Sequence, residues 1–202
     1  TANLDIVDID GAVDMASTLQ VDGAITSSDG AVITTADNTD TLSLISTDAD
    51  ANVGPNLRLY RNSGSPADAD VLGNIKFDGR NDNSQDVQYA AITAYAGDVS
   101  DGSEDGTVNF SVMTAGTSTS YLQLYGSAAV FNEDSNDFDF RVESNGNANM
   151  LFVDGGNDRV GVGIAAPRAI FDFGNGSGDG TLSTTVSQYQ AVFEAPQGTN
   201  DI

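Results

Sequence analysis

Chemistry in this chain falls to carboxylates, because 30 Asp and Glu stand against seven Lys and Arg, with no His and no Cys. Without His the commonest general base, the usual zinc ligand and every Ser-His dyad are missing. Without Cys there is neither a disulfide framework nor a thiolate metal site. The densest acidic groups are Asp134, Asp137 and Asp139, and Asp98, Asp101, Glu104 and Asp105. Glycoside hydrolysis needs two carboxyls about 5–10 Å apart beside a sugar groove. Such grooves are usually walled by aromatics, and this chain has no Trp. With acids so abundant no single pair stands out, so no catalytic residue is assigned and the chain is read as a non-enzyme.

Metal and nucleotide motifs fail on particular positions. Asp101-Gly-Ser103-Glu-Asp105-Gly106 begins like a calcium loop, but its twelfth position is Val112 rather than a bidentate Glu. Asp48-Ala-Asp50-Ala-Asn52 runs on to Val53 where a Gly is needed, and Gly155-Gly156-Asn157-Asp158 lacks a glycine of the calcium β-roll repeat. Gly161-Val-Gly163 has no helix signal after it, so it is no phosphate loop. No metal ligand and no cofactor is expected.

Binding is better served than catalysis. Residues 57–131 combine Tyr60, Tyr89, Tyr95, Tyr121 and Tyr125 with Arg58, Arg61, Lys76 and Arg80. Tyrosine stacks on sugar rings while offering a hydroxyl, and Arg pairs with acidic groups of a glycan. Tyr60, Arg61 and Arg80 are therefore the candidate receptor-binding residues. The alternative is that the tyrosines pack between chains and the Arg residues neutralise neighbouring Asp. The formal charge of −23 repels nucleic acid and anionic membranes. No apolar run is long enough to span a bilayer, so neither nucleic-acid binding nor membrane insertion is expected.

The elements that must position these residues read as strands. Val87, Tyr89, Ala91, Thr93 and Tyr95 alternate with their neighbours, as do Val108, Phe110 and Val112, then Leu122 and Leu124, then Phe138, Phe140 and Val142. Turn signals separate them: Asp-Gly at 10–11, 22–23, 29–30, 78–79, 101–102, 105–106, 154–155 and 179–180, and Asn-Gly at 145–146 and 175–176. The pattern apolar-x-apolar-Asp-Gly recurs at Val7–Gly11, Leu19–Gly23, Ile75–Gly79 and Leu151–Gly155, and reads as a strand end followed by a turn. No segment carries a sustained helical period, so the fold class is all-β.

Core material is thin: the hydrophobic fraction is 39%, the aromatic fraction 7%. Residues 1–56 contain no aromatic side chain, only short apolar runs at Leu4–Ile9, Leu19–Val21, Ala31–Thr34 and Leu42–Ile45. Rotational symmetry solves this by bringing the same Ile, Leu and Val of several chains to one axis; the alternative is a disordered linker. The expected organisation is a slender N-terminal shaft over 1–56 and a β-rich middle domain over 57–131, sandwich-like or interwoven. A repeat segment over 132–168 ending in Val-Gly-Val-Gly and a distal β segment over 169–202 follow, the last continuing beyond this chain.

The stretch from Phe140 to Pro167 carries a resemblance. Its strand-like Leu151-Phe-Val153-Asp154-Gly155 leads through a turn into Val160-Gly161-Val-Gly163-Ile and on to Pro167. This is similar to a segment of many bacteriophage tail fibres and spikes, often placed shortly before a C-terminal intramolecular chaperone. Val162 stands where Ile is frequent there, and Ala165-Ala166 where Thr and a small residue are usual. The resemblance implies an elongated homotrimeric virion fibre held to other virion proteins at its N-terminal end, with a host cell-surface glycan as a partner. A tail fibre for host attachment is the first expectation. A capsid-attached fibre, a secreted bacterial adhesin or surface-layer module, and a polysaccharide-cleaving tailspike are the alternatives. Because Lys76 is the only lysine, the Ser and Lys of a self-cleaving chaperone are not both at hand after Pro167. Any such domain is expected beyond Ile202 or already removed.

Overall fold

The computed structural model describes residues 18–173 together with Val13, Met15 and Ala16. The chain divides into two units, Thr1–Leu57 and Arg58–Ile202. The described residues of the first unit contain neither strand nor helix. The runs Leu19–Val21, Ala31–Thr34 and Leu42–Ile45, expected as strands, form no ladder, and Val32 and Ile45 are 94% and 81% exposed. Short polar side chains capture the backbone there instead. Asp37 Oδ1 accepts from the Thr39 N–H at 3.1 Å and its hydroxyl at 2.6 Å, and Asp50 Oδ1 accepts from the Asn52 N–H at 2.8 Å. These local bonds compete with strand pairing, and a strand without a neighbour has nothing to set against them. The run Leu4–Ile9 and the pattern at Val7–Gly11 lie outside the described residues.

In the second unit the described residues form nine strands and no helix, so the all-β expectation holds. β1 (Asp70–Arg80), β2 (Asp86–Asp98), β3 (Asp105–Thr114), β4 (Thr117–Leu124) and β5 (Ala129–Phe131) make one antiparallel sheet in sequence order. β6 (Phe140–Val142), β7 (Leu151–Asp154), β8 (Arg159–Val162) and β9 (Phe171–Phe173) make a second, antiparallel except for the parallel β8–β9 pair. Of the 169–202 segment, the part after Phe173 lies outside the described residues, as do the turn signals at 175–176 and 179–180.

Turns depart from the dipeptide signals in an informative way. Asp78-Gly79 lies inside β1, where a register shift between Phe77 and Asp78 marks a bulge, and Asp105-Gly106 opens β3. The β1–β2 turn sits beyond, where Asn81 Oδ1 accepts from the N–H groups of Asn83 at 3.1 Å and Gln85 at 2.9 Å. The β3–β4 hairpin turns at Ala115-Gly116 with φ of 48° and 83°, two left-handed residues in succession, as a two-residue turn of the strand-compatible hand requires. Of the recurrent apolar-x-apolar-Asp-Gly pattern, Leu151–Gly155 ends a strand in a turn as expected. Ile75–Gly79 continues through its bulge, and Leu19–Gly23 contains no strand.

Register divides each sheet into two unlike faces, since directly opposed residues point the same way. In the five-stranded sheet one row is Ile75, Ile92, Phe110, Leu122 and Phe131, one residue from every strand. The adjacent row on the other face is Asn74, Thr93, Asn109 and Gln123. The four-stranded sheet carries its own apolar row, Phe140, Val153, Val160 and Phe171. Among the described residues the buried apolar side chains are only Ala91, Phe152 and Ile164, with Pro167 also buried.

Candidate functional site: the polar face of the five-stranded sheet

Alternation within β1, β2 and β3 places the hydrogen-bonding side chains together. Asn74 and Lys76 of β1 stand opposite Thr93 and Ala91 of β2, which face Asn109 and Ser111 of β3. They line a cleft of about 440 Å³, with Tyr95 at one side and Asp134 at another. A bulge between Phe110 and Ser111 turns Ser120 of β4 onto this same face. The Ser120 hydroxyl lies 2.7 Å from Asn109 Oδ1, and the Ser120 N–H donates to Asp134 Oδ2 at 2.7 Å. Ser120 and Ala91 are buried and form the floor. A second cleft of about 470 Å³ shares Lys76 and Gln88 with the first and extends to Asp78, Arg80 and Asp86.

This surface can hold a polyhydroxylated ligand through amides, hydroxyls and one ammonium. It contains no nucleophile paired with a base. Asp134 lines the first cleft, and Asp78 and Asp86 line the second. At the far end of the sheet, hydrogen bonds from Ser100 hold the Asp98 carboxyl below its ordinary value, and a hydrogen bond with Glu133 raises the Tyr125 phenol. Both residues stay in their ordinary charge states at neutral pH, so neither is poised for proton transfer.

Of the three residues singled out from sequence, Tyr60 and Arg61 are neighbours in the chain and Arg80 is set apart from them. Arg80 lies at the C-terminal end of β1, in an ion pair with Asp86 at 3.1 Å, and lines the second cleft. Arg61 lies at the opposite end of β1, where it pairs with Asp70 at 3.0 Å and donates to the Val71 carbonyl at 3.0 Å. At about 3.3 Å per residue the two ends of this 11-residue strand are roughly 30 Å apart. Tyr60 is 65% exposed, with the Arg58 guanidinium 4.4 Å from its ring centroid. Sequence reasoning passed over Asn74, Asn109 and Ser120 and read Thr93 only as part of a strand. The available signal was the alternation that sets Thr93 with Ala91 and Tyr95 on one face of β2, but their partners on β1 and β3 are fixed only by register.

The acidic clusters act as turn fasteners. Asp139 Oδ1 accepts from the Gly155 N–H at 3.2 Å, and Asp154 Oδ1 accepts from the Asn157 N–H at 2.9 Å. Among the described residues no three Asp or Glu side chains converge as a cation would require. The Val-Gly-Val-Gly run is structural in the same sense. A Cβ on Gly161 would stand 2.6 Å from the Ile164 carbonyl oxygen, and Gly163, at φ 76°, donates its N–H to Asn149 O at 2.8 Å. Arg159 Nη1 donates to Pro167 O at 2.9 Å, and Asp172 Oδ2 accepts from the Arg168 N–H at 2.9 Å and from its Nε at 3.3 Å. No family model, no curated protein and no solved structure matches this chain.

Proposed function

We propose that the chain is a structural subunit of a bacteriophage fibre, assembled as a homotrimer, that turns the polar sheet face toward a host glycan. The carrying observation is how little one copy buries. Among the described residues only Ala91, Phe152, Ile164 and Pro167 are buried apolar side chains, while Ile75, Phe77, Val112, Phe131 and Phe171 stand 42% to 54% exposed within their sheets. A self-sufficient domain instead removes about 70% of its unfolded surface from water. A chain with this deficit is completed by other chains. The likeness of Phe140–Pro167 to tail-fibre sequence supplies the biological setting, and a tail fibre is preferred to a capsid fibre on that likeness. Negative-stain electron microscopy of the purified chain tests the reading. Rods of uniform width with threefold end views are expected. Compact single-chain particles would refute it.

A further inference from the structure

The two apolar rows of the second unit meet. The row from Ile75 to Phe131 ends on β5, the row from Phe140 to Phe171 begins on β6, and the Phe131 and Phe140 rings lie 4.7 Å apart at 41°. The two rows therefore join into one apolar seam that takes one residue from each of the nine strands. None of these positions is buried. Ile75, Phe77, Val112, Phe131, Val142 and Phe171, on the seam and its same-face flanks, are 42% to 54% exposed.

We infer that this seam is the surface on which a second copy of the chain packs, leaving the polar face with Lys76 outward. The inference rests on the fibre reading and names the face that reading needs. Area supports it: at roughly 150–200 Å² per large apolar side chain, those six residues leave about 500 Å² on one copy. That lies in the upper part of the roughly 300–600 Å² spanned by the largest patch of a typical monomer, a size often functional, and two copies together reach the roughly 1,000 Å² at which specific interfaces begin. Charge identifies the occupant as another copy. Two chains of −23 repel wherever their acids face each other, and the seam carries none of the 30. A basic partner would instead be drawn to the acid-rich surfaces and would gain nothing from an uncharged strip. Sheets stacked face to face lie about 10 Å apart, a gap that Ile and Phe from both sides fill.

The test places the photoreactive residue p-benzoylphenylalanine at position 77 on the seam side, or at position 95 on the polar face, in the full chain. On irradiation the position 77 probe should give covalent products of two chain masses on a denaturing gel, and the position 95 probe should give none. Val112→Asp should then lower the assembly to single chains at micromolar concentration, while Ser111→Asp, one residue away on the polar face, should not. If the chain assembles but the position 77 probe reacts only within its own chain, or the position 95 probe alone bridges chains, the seam assignment is overturned and the fibre reading survives. If the unmodified chain is a monomer, both are overturned.

Discussion

At Gly161 a single added methyl group should do measurable damage. It sits in β8, a strand paired on both sides, opposite Phe152 in β7 and Asp172 in β9. Its missing side chain leaves room for the Ile164 carbonyl, which would lie 2.6 Å from a Cβ, with Ile164 Cγ2 at 3.0 Å. Ordinary contact between such atoms begins near 3.4 Å, so relief means moving backbone. The carbonyl belongs to the turn that leaves the same strand, and shifting it disturbs both ladders. Overpacking costs about 1–3 kcal/mol, and a site with backbone on one side and ladders on two belongs at the upper end, about 2–3 kcal/mol. With a urea dependence of about 2 kcal/mol per molar, Gly161→Ala should lower the midpoint by about 1–1.5 M. Circular dichroism at fixed protein concentration reads the change, since assembly makes midpoints concentration-dependent. Gly146→Ala is the control, because nothing lies within 4 Å of its Cβ position and exposed changes usually stay within about 0.5 kcal/mol. Equal midpoints for the two variants would refute the steric account of the Val-Gly-Val-Gly run.

Asp134→Ala removes the acceptor for the buried Ser120 N–H and should cost about 1–3 kcal/mol, read as a lowered urea midpoint; an unchanged midpoint would show that the bond is dispensable. The Asp172 carboxyl is held below its ordinary 3.8 chiefly by the Arg168 N–H. Its stabilisation is thus complete above that pH and lost as pH falls through the depressed value. Asp172→Asn should accordingly melt below wild type at pH 7, with the gap closing toward pH 2; a constant gap would contradict the assignment. Lys76→Ala and Arg80→Ala, at the clefts, should weaken retention on an immobilised acidic polysaccharide, and Arg141→Ala, which lines neither cleft and pairs with Glu143, should not. Equal effects of all three would point to net charge alone.

Strand content was readable wherever a strand has neighbours within the chain. Val87 to Tyr95, Val108 to Val112 and Leu122 to Leu124 alternate in sequence and all lie in strands. The same alternation at Leu42–Ile45 finds no ladder in the described residues, because periodicity reports what a face could bury and not whether a partner strand is near. Turn positions were less secure. Asp-Gly is permissive of tight turns, yet at 78–79 a bulge absorbs it, while Ala115-Gly116 turns without the favoured Asn or Asp because the flanking strands pair up to Thr114 and Thr117. The clefts were hidden for a related reason. Asn74, Thr93 and Asn109 are 16 to 35 residues apart in the sequence, and only the register across three strands sets them side by side. Tyr60, Arg61 and Arg80 were grouped by type, and type carries no distance along a strand.

Native mass spectrometry of the full chain tests the central claim most directly, because subunit number is the quantity that the sparse interior and the apolar seam both bear on. The account predicts a dominant species of three times 20.8 kDa, about 62 kDa, at micromolar concentration in a volatile buffer. A dominant species of one chain mass across the same concentrations would contradict it.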